Sequence, residues 1–114
     1  MVNPELPQRV PYVTEKLGAT SGPIVATTDY MRMFAEQIRA FMPKDRTYKV
    51  LGTDGFGRSD SRVKLREFFE VNRYYITVAS LRALADEGQI DRAIVSQAIA
   101  KYGIDQNKPN PVTQ

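Results

Sequence analysis

The chain has 114 residues, 42% of them hydrophobic, and sixteen Lys and Arg against thirteen Asp and Glu give a formal charge of +3. That is one domain's worth of polypeptide, enough for a modest core but not for a multidomain enzyme, and bases spread along the chain do not predict a dedicated nucleic-acid footprint. With no cysteine and no histidine, disulfides, thiolate metal sites, His-assisted nucleophiles and the usual neutral-pH proton shuttle are excluded.

No apolar run approaches the roughly 20 residues of a membrane span, and MVNPELPQRVP has no hydrophobic signal region, so a cytoplasmic setting without a membrane partner is expected. Pro4, Pro7 and Pro11 predict an extended arm over residues 1–11, because each fixes φ and removes an N–H. Tyr12 to Leu17 can form a short helix that Gly18 stops, with a turn at Thr20-Ser21-Gly22-Pro23. Ile24 to Thr28 is short, β-branched and bounded by Pro23 and Asp29, the pattern of a buried strand. Asp29 then fits an N-cap, and Met31, Phe34, Ala35, Ile38, Phe41 and Met42 share one helical face up to Pro43.

Tyr48 to Thr53 reads as a second strand. Strand, helix and strand over about 30 residues predict a right-handed βαβ crossover with the two strands parallel. The loop Thr53 to Arg62, TDGFGRSDSR, leaves the second strand at its carboxyl end, where ligands usually sit in open α/β sheets. Val63, Leu65, Phe68 and Phe69 predict a short helix flanked by Arg62, Arg66 and Arg73, a basic ridge that is either a solvated face or an anion or partner contact. Tyr74 to Glu87 reads as one helix ending at Gly88. Asp91 caps a last helix whose Ile94, Val95, Ala98, Ile99 and Tyr102 share a face and which closes at Gly103. The tail from Asp105 to Gln114 is loose or pinned by something outside that helix.

The division expected is a Pro-rich arm and short helix over 1–22, a partial α/β domain over 23–104 and a tail over 105–114. Two parallel strands have two open edges and too little area to hold a fold, and parallel sheets are normally covered on both faces. Either further strands lie elsewhere in the chain or the chain is a piece of a larger domain, and the sequence favours the second.

Three ligand motifs can be tried on the loop. GTDGFGRS matches the phosphate-cradling G-x-x-x-x-G-K-[ST] except that Arg58 stands where Lys is needed, with Asp54 and Asp60 beside the would-be phosphates. It remains as the alternative function, a stand-alone anion or nucleotide-binding module. TDG is one letter from the GDG that opens a diphosphate-and-magnesium motif, but Asp54 and Asn72 are too close in sequence for it. Gly55 and Gly57 fail the dinucleotide pattern because Asp60 takes the third glycine position. Without a ligand, the glycines supply positive φ, Phe56 tucks under the sheet, and Ser59, Asp60 or Ser61 caps the next helix. Arg58, Ser59 and Arg62 are the candidate anion or partner contacts.

TTDYMRMFAEQIRAFMP, YKVLGTDGFGRSDSR with LREFFEV close behind, and IDRAIVSQAIAKYGID together resemble the C-terminal end of bacterial homodimeric pyruvate dehydrogenase, from about Arg9 onward. The resemblance implies part of a transketolase C-terminal-domain-like α/β sheet: a βαβ unit with strands near 24–28 and 48–53, then C-terminal helices. It also implies a longer enzyme that uses thiamine diphosphate and magnesium to decarboxylate pyruvate and passes the acetyl group to lipoamide. The partners implied are the remaining domains, a second subunit and a dihydrolipoyl acetyltransferase core. The cofactor and catalytic motifs of that family would lie upstream of Met1. No catalytic, cofactor or metal residue is therefore carried over to this chain, and on its own it is expected to be inactive.

Overall fold

The computed structural model describes residues 2–114; Met1, the first residue of the predicted arm, lies outside the described residues. The elements in order are α1 (Tyr12–Gly18), β1 (Ile24–Thr27), α2 (Met33–Glu36), β2 (Tyr48–Leu51), α3 (Arg62–Phe68), α4 (Arg73–Asp86) and α5 (Arg92–Lys101), with 3-10 turns at Arg39–Phe41 and Pro111–Thr113. β1 and β2 pair in parallel, Ile24 opposite Tyr48 through Thr27 opposite Leu51. The α/β class, the two strands and their direction are as the sequence predicts. Among the described residues no further strand joins them.

The core is small. α4 packs on both strands and on α5, and the buried apolar residues are Tyr48, Val71, Ala83, Ala85, Val95 and Ala98. The buried residues of α4 are the alanines Ala83 and Ala85, and Ala83 is fully covered. The helix ends follow from local chemistry. Asn72 accepts from the backbone N–H groups of Tyr74 and Tyr75 to start α4, Asp91 accepts from Ala93 to start α5, and Gly88 and Gly103 take positive φ just past the two helices. Asp86, near the end of α4, gathers Arg82, Arg92 and Lys49 at 3.0, 3.0 and 3.4 Å. This ties the helix pair to β2.

The predicted long helix from Asp29 to Met42 is a correction. The structure holds only the single turn α2 and the 3-10 turn that follows it. Asp29 does not cap it, because its carboxylate is bound to Arg66 of α3. Tyr30, Met33, Phe34, Ile38 and Phe41 are exposed, so the apolar face meets no surface that would reward a continuous helix. Arg39 takes over instead. Its guanidinium is held by Glu36 at 2.6 Å and donates to the Tyr48 carbonyl at 3.0 Å, while the Tyr48 hydroxyl donates to Ala35 at 2.7 Å.

The register places the Tyr48 and Val50 backbone groups on the outer edge of β2, and Val25 and Thr27 on the outer edge of β1. Arg39 therefore occupies the first carbonyl on the outer edge of β2. The outer edge of β1 has no strand beside it among the described residues. The molecule is also open overall: its radius of gyration is 17.2 Å, against about 13 Å for a self-contained domain of this length. Its accessible surface is 8637 Å², against about 6300 Å² for a monomer of this mass.

Candidate functional site

The loop from Thr53 to Arg62 sits at the carboxyl end of the sheet and is fastened at its start. Thr53 donates its N–H to the Tyr30 carbonyl at 2.9 Å and its hydroxyl to the Asp29 carbonyl at 3.1 Å. The Asp54 carboxylate accepts from the Arg32 side chain at 2.5 Å and from the Arg32 backbone N–H at 3.1 Å. That hydrogen bonding holds the Asp54 carboxyl below its ordinary value of 3.8, against a smaller opposing effect of burial. Gly52 is required here, since a Cβ would come within 2.6 to 2.9 Å of Arg32 and the Tyr30 carbonyl.

Gly55 has φ +115, and a Cβ on it would stand 2.5 Å from the Pro111 carbonyl. The tail thus lies on the loop. Lys108 fixes it there, its Nζ donating to the Phe68 carbonyl at 2.6 Å and reaching Glu70 at 3.3 Å. The tail is pinned, the second of the two states that the sequence left open.

Phe56 corrects another expectation: it does not tuck under the sheet but is 76% exposed. The carboxyl edge of β2 is already covered by buried Pro111 and its neighbours, which line a cavity of about 280 Å³ with Val50, Leu51 and Phe69. Gly57 does not take positive φ, and Gly55 alone in the loop does. Ser61 caps α3, accepting from Lys64 at 3.4 Å, while Asp60 accepts from Ser61 at 2.7 Å.

Of the candidate contacts, Arg58 and Arg62 line one cleft of about 470 Å³ with Asp29, Phe56, Leu65, Arg66 and Phe69. Arg58 stacks on the Phe68 ring at 3.9 Å. Ser59 faces an adjoining notch with Arg58, Lys64 and Phe68. The predicted ridge is divided. Arg66 pairs with Asp29 at 2.6 Å, holding the Asp29 carboxyl below its ordinary value chiefly through that hydrogen bond. Arg73 lies in α4 rather than on the α3 flank, donating to the Tyr74 hydroxyl at 2.8 Å.

The geometry does not support the nucleotide-binding alternative. In a phosphate loop the basic residue and the hydroxyl enter the first helical turn, whereas α3 begins at Arg62, beyond Arg58 and Ser59, and is seven residues long. Nor do the residues present fit a diphosphate and its magnesium. The Asp54 carboxylate is bound by Arg32 and the Asn72 side-chain oxygen caps α4.

Sequence reasoning missed Arg32 and Lys108, which shape this edge, and Arg39 and Arg46, which act at the amino end of the strands. Arg46 ties α1 and the following turn to β2, donating to the Leu17 and Thr20 carbonyls at 2.9 and 3.0 Å and to that of Gly22.

An α/β unit whose loop and tail meet at the carboxyl end of a parallel pair narrows the class, and comparison settles it. Residues 6–72, more than half of the chain, match the profile described as transketolase-like TK C-terminal domain, and the chain belongs to that family. Over 113 residues it is 57% identical to the pyruvate dehydrogenase E1 component of Cupriavidus necator, covering 99% of this chain and 12% of that protein. The corresponding proteins of Pseudomonas aeruginosa and Escherichia coli K12 are 60% identical over 101 residues and 52% over 111, covering 89% and 97% of this chain. The likeness read from TDGFGRSDSR and its neighbours is borne out, and in the first of these relatives it extends through the arm as well. The chain spans 11 to 12% of the length of these curated relatives.

Proposed function

We propose that this chain serves as the C-terminal part of a pyruvate dehydrogenase E1 component, as a scaffold and docking element rather than a catalytic one. The observation that carries the reading is the 57% identity along nearly the whole chain to a protein of that name. The open outer edge of β1 supports it, because a parallel sheet is stable when continued and covered. On this reading a strand of the preceding polypeptide pairs with Val25 and Thr27, and other domains cover Tyr30, Phe34 and Phe41. The whole enzyme decarboxylates pyruvate with thiamine diphosphate and magnesium held by its other domains, and transfers the acetyl group to lipoamide. It works as a cytoplasmic homodimer beside a dihydrolipoyl acetyltransferase core. Among the described residues, no helix is long and apolar enough to cross a membrane.

Arg58, Ser59 and Arg62 are assigned to contacts with a neighbouring domain or partner. The test is a longer polypeptide carrying this C-terminus, assayed for thiamine diphosphate-dependent acetyl transfer from pyruvate to lipoamide. Activity in the longer protein, its loss on deleting residues 1–114, and none in the 114-residue chain alone are expected. A longer protein that turns over another 2-oxo acid in preference to pyruvate contradicts the substrate. Saturable binding of ATP and magnesium by the short chain contradicts the scaffold role.

A further inference from the structure

The apex of the loop joins two features that water alone does not reward. Phe56 stands 76% exposed between Gly55 and Gly57, yet the loop that carries it is held on both sides. Thr53 and Asp54 are bound to the Asp29–Arg32 segment, Gly55 rests against Pro111, and Arg58 is stacked on Phe68. An aromatic ring displayed on a fixed loop has little conformational freedom left to lose on docking, which favours association. Aromatic and arginine side chains together are also the residues that anchor interfaces.

Charge specifies the other side. Although bases occur throughout the chain, residues 58–66 hold four of them, Arg58, Arg62, Lys64 and Arg66, against the single acid Asp60, which equals the whole formal charge of +3. Arg66 is partly satisfied by Asp29. Arg58 and Arg62 border the cleft that also contains Phe56, Asp29 and Asp60, and neither forms a salt bridge among the described residues, so the apolar ring and two arginines face the same partner.

We propose that Phe56, with Arg58 and Arg62 beside it, is a plug that seats in an apolar pocket edged by carboxylates on the preceding part of the longer polypeptide. The proposal rests on the reading of this chain as part of a longer enzyme. That polypeptide is the occupant because this chain spans only about an eighth of its relatives' length, 12% in the first of them, and intramolecular docking gains from high effective concentration. Carboxylates at the rim complement Arg58 and Arg62 and disfavour wrong seating.

The chain has no cysteine, so Phe56→Cys gives this segment a single thiol whose labelling by a maleimide is read by peptide mass spectrometry. Labelling should be fast in the 114-residue chain and at least about tenfold slower in the longer enzyme, as for a site exposed only by local opening. Adding Arg58→Glu and Arg62→Glu should restore fast labelling. Trypsin cleavage after Arg58 and Arg62 in the unsubstituted proteins supplies a second reading that needs no variant. It should be fast in the short chain and slow in the longer one.

Equal labelling and equal cleavage in an enzyme that is active on pyruvate overturns the plug and leaves the functional reading intact. Protection in a longer protein inactive on pyruvate supports the plug and overturns that reading. Protection that develops in the short chain as its concentration rises makes a second copy the occupant and overturns the proposal. Protection that requires an added separate protein overturns it also.

Discussion

Residues 30–42 and residues 92–102 carry the same helical spacing of apolar side chains, yet only the second segment becomes a sustained helix. In α5 the face finds α4, and Val95 and Ala98 are buried. In 30–42 only part of the face is covered: Met31, Ala35 and Met42 are half-buried, but Phe34, Ile38 and Phe41 are exposed, and the chain breaks into one helical turn and one 3-10 turn. Periodicity states which side chains could share a face, whereas a packed neighbour decides whether a helix forms. The contrast follows from what lies opposite each segment in this chain.

The contrast breaks most directly at its packed end. Ala83→Leu forces a larger side chain into a fully covered position on α4, the helix that packs on both strands and on α5, and should cost about 3 kcal/mol in denaturant unfolding, at the upper end of overpacking. A loss below about 1 kcal/mol would mean that this interface yields as easily as the open one. The loop and tail come next. Gly55→Ala combines a positive φ with a clash at Pro111 and should cost about 2 kcal/mol, with tail amides exchanging faster. Lys108→Met removes the donor to the Phe68 carbonyl and should cost about 1 kcal/mol, with the same tail amides released.

Ile38→Ser probes the open side. In the 114-residue chain it should change stability by no more than about 0.5 kcal/mol, and a larger loss would show that the 30–42 face is already packed. A further small effect is electrostatic. Asp29, Asp54 and Asp86 all have carboxyls held below 3.8 by hydrogen bonds from arginines. Their folded values lie below the unfolded ones, so the stabilisation is present above the ordinary aspartate value and is lost as pH falls through the folded values. Arg32→Ala should flatten the acid side of a circular-dichroism pH titration slightly, since partly exposed pairs contribute about 0.2–1 kcal/mol. An unchanged acid limb would remove Asp54 from that account.

What could be read from the sequence was local. IVATT and YKVLGT announced strands, Asp91 announced its cap, and Gly88 and Gly103 announced their stops, because each signal lies within a few residues of its effect. The helix over 29–42 was overcalled for a physical reason: its apolar residues are real, but Phe34, Ile38 and Phe41 are left exposed. Phe56 was misplaced because the sheet edge is flanked by the tail, whose Pro111, more than fifty residues away, lines a cavity there with Val50, Leu51 and Phe69. Arg32 to Asp54, Arg39 to Tyr48 and Lys108 to Phe68 span 22, 9 and 40 residues, and such ion pairs and side-chain bonds leave no periodic trace. Of the candidate site, Arg58 and Arg62 were legible as a pair on one edge, while the tail that shapes the edge was not.

The measurement that bears most directly on the central claim is amide hydrogen exchange at Val25 and Thr27, whose N–H groups the register turns away from β2. In the 114-residue chain they should exchange rapidly while Ala26, facing β2, is protected. In the longer polypeptide all three should be protected, with Val25 and Thr27 slowed at least about tenfold. Equal and rapid exchange of Val25 and Thr27 in both would mean that no strand continues the sheet, and the reading of this chain as one part of a larger α/β domain would be wrong.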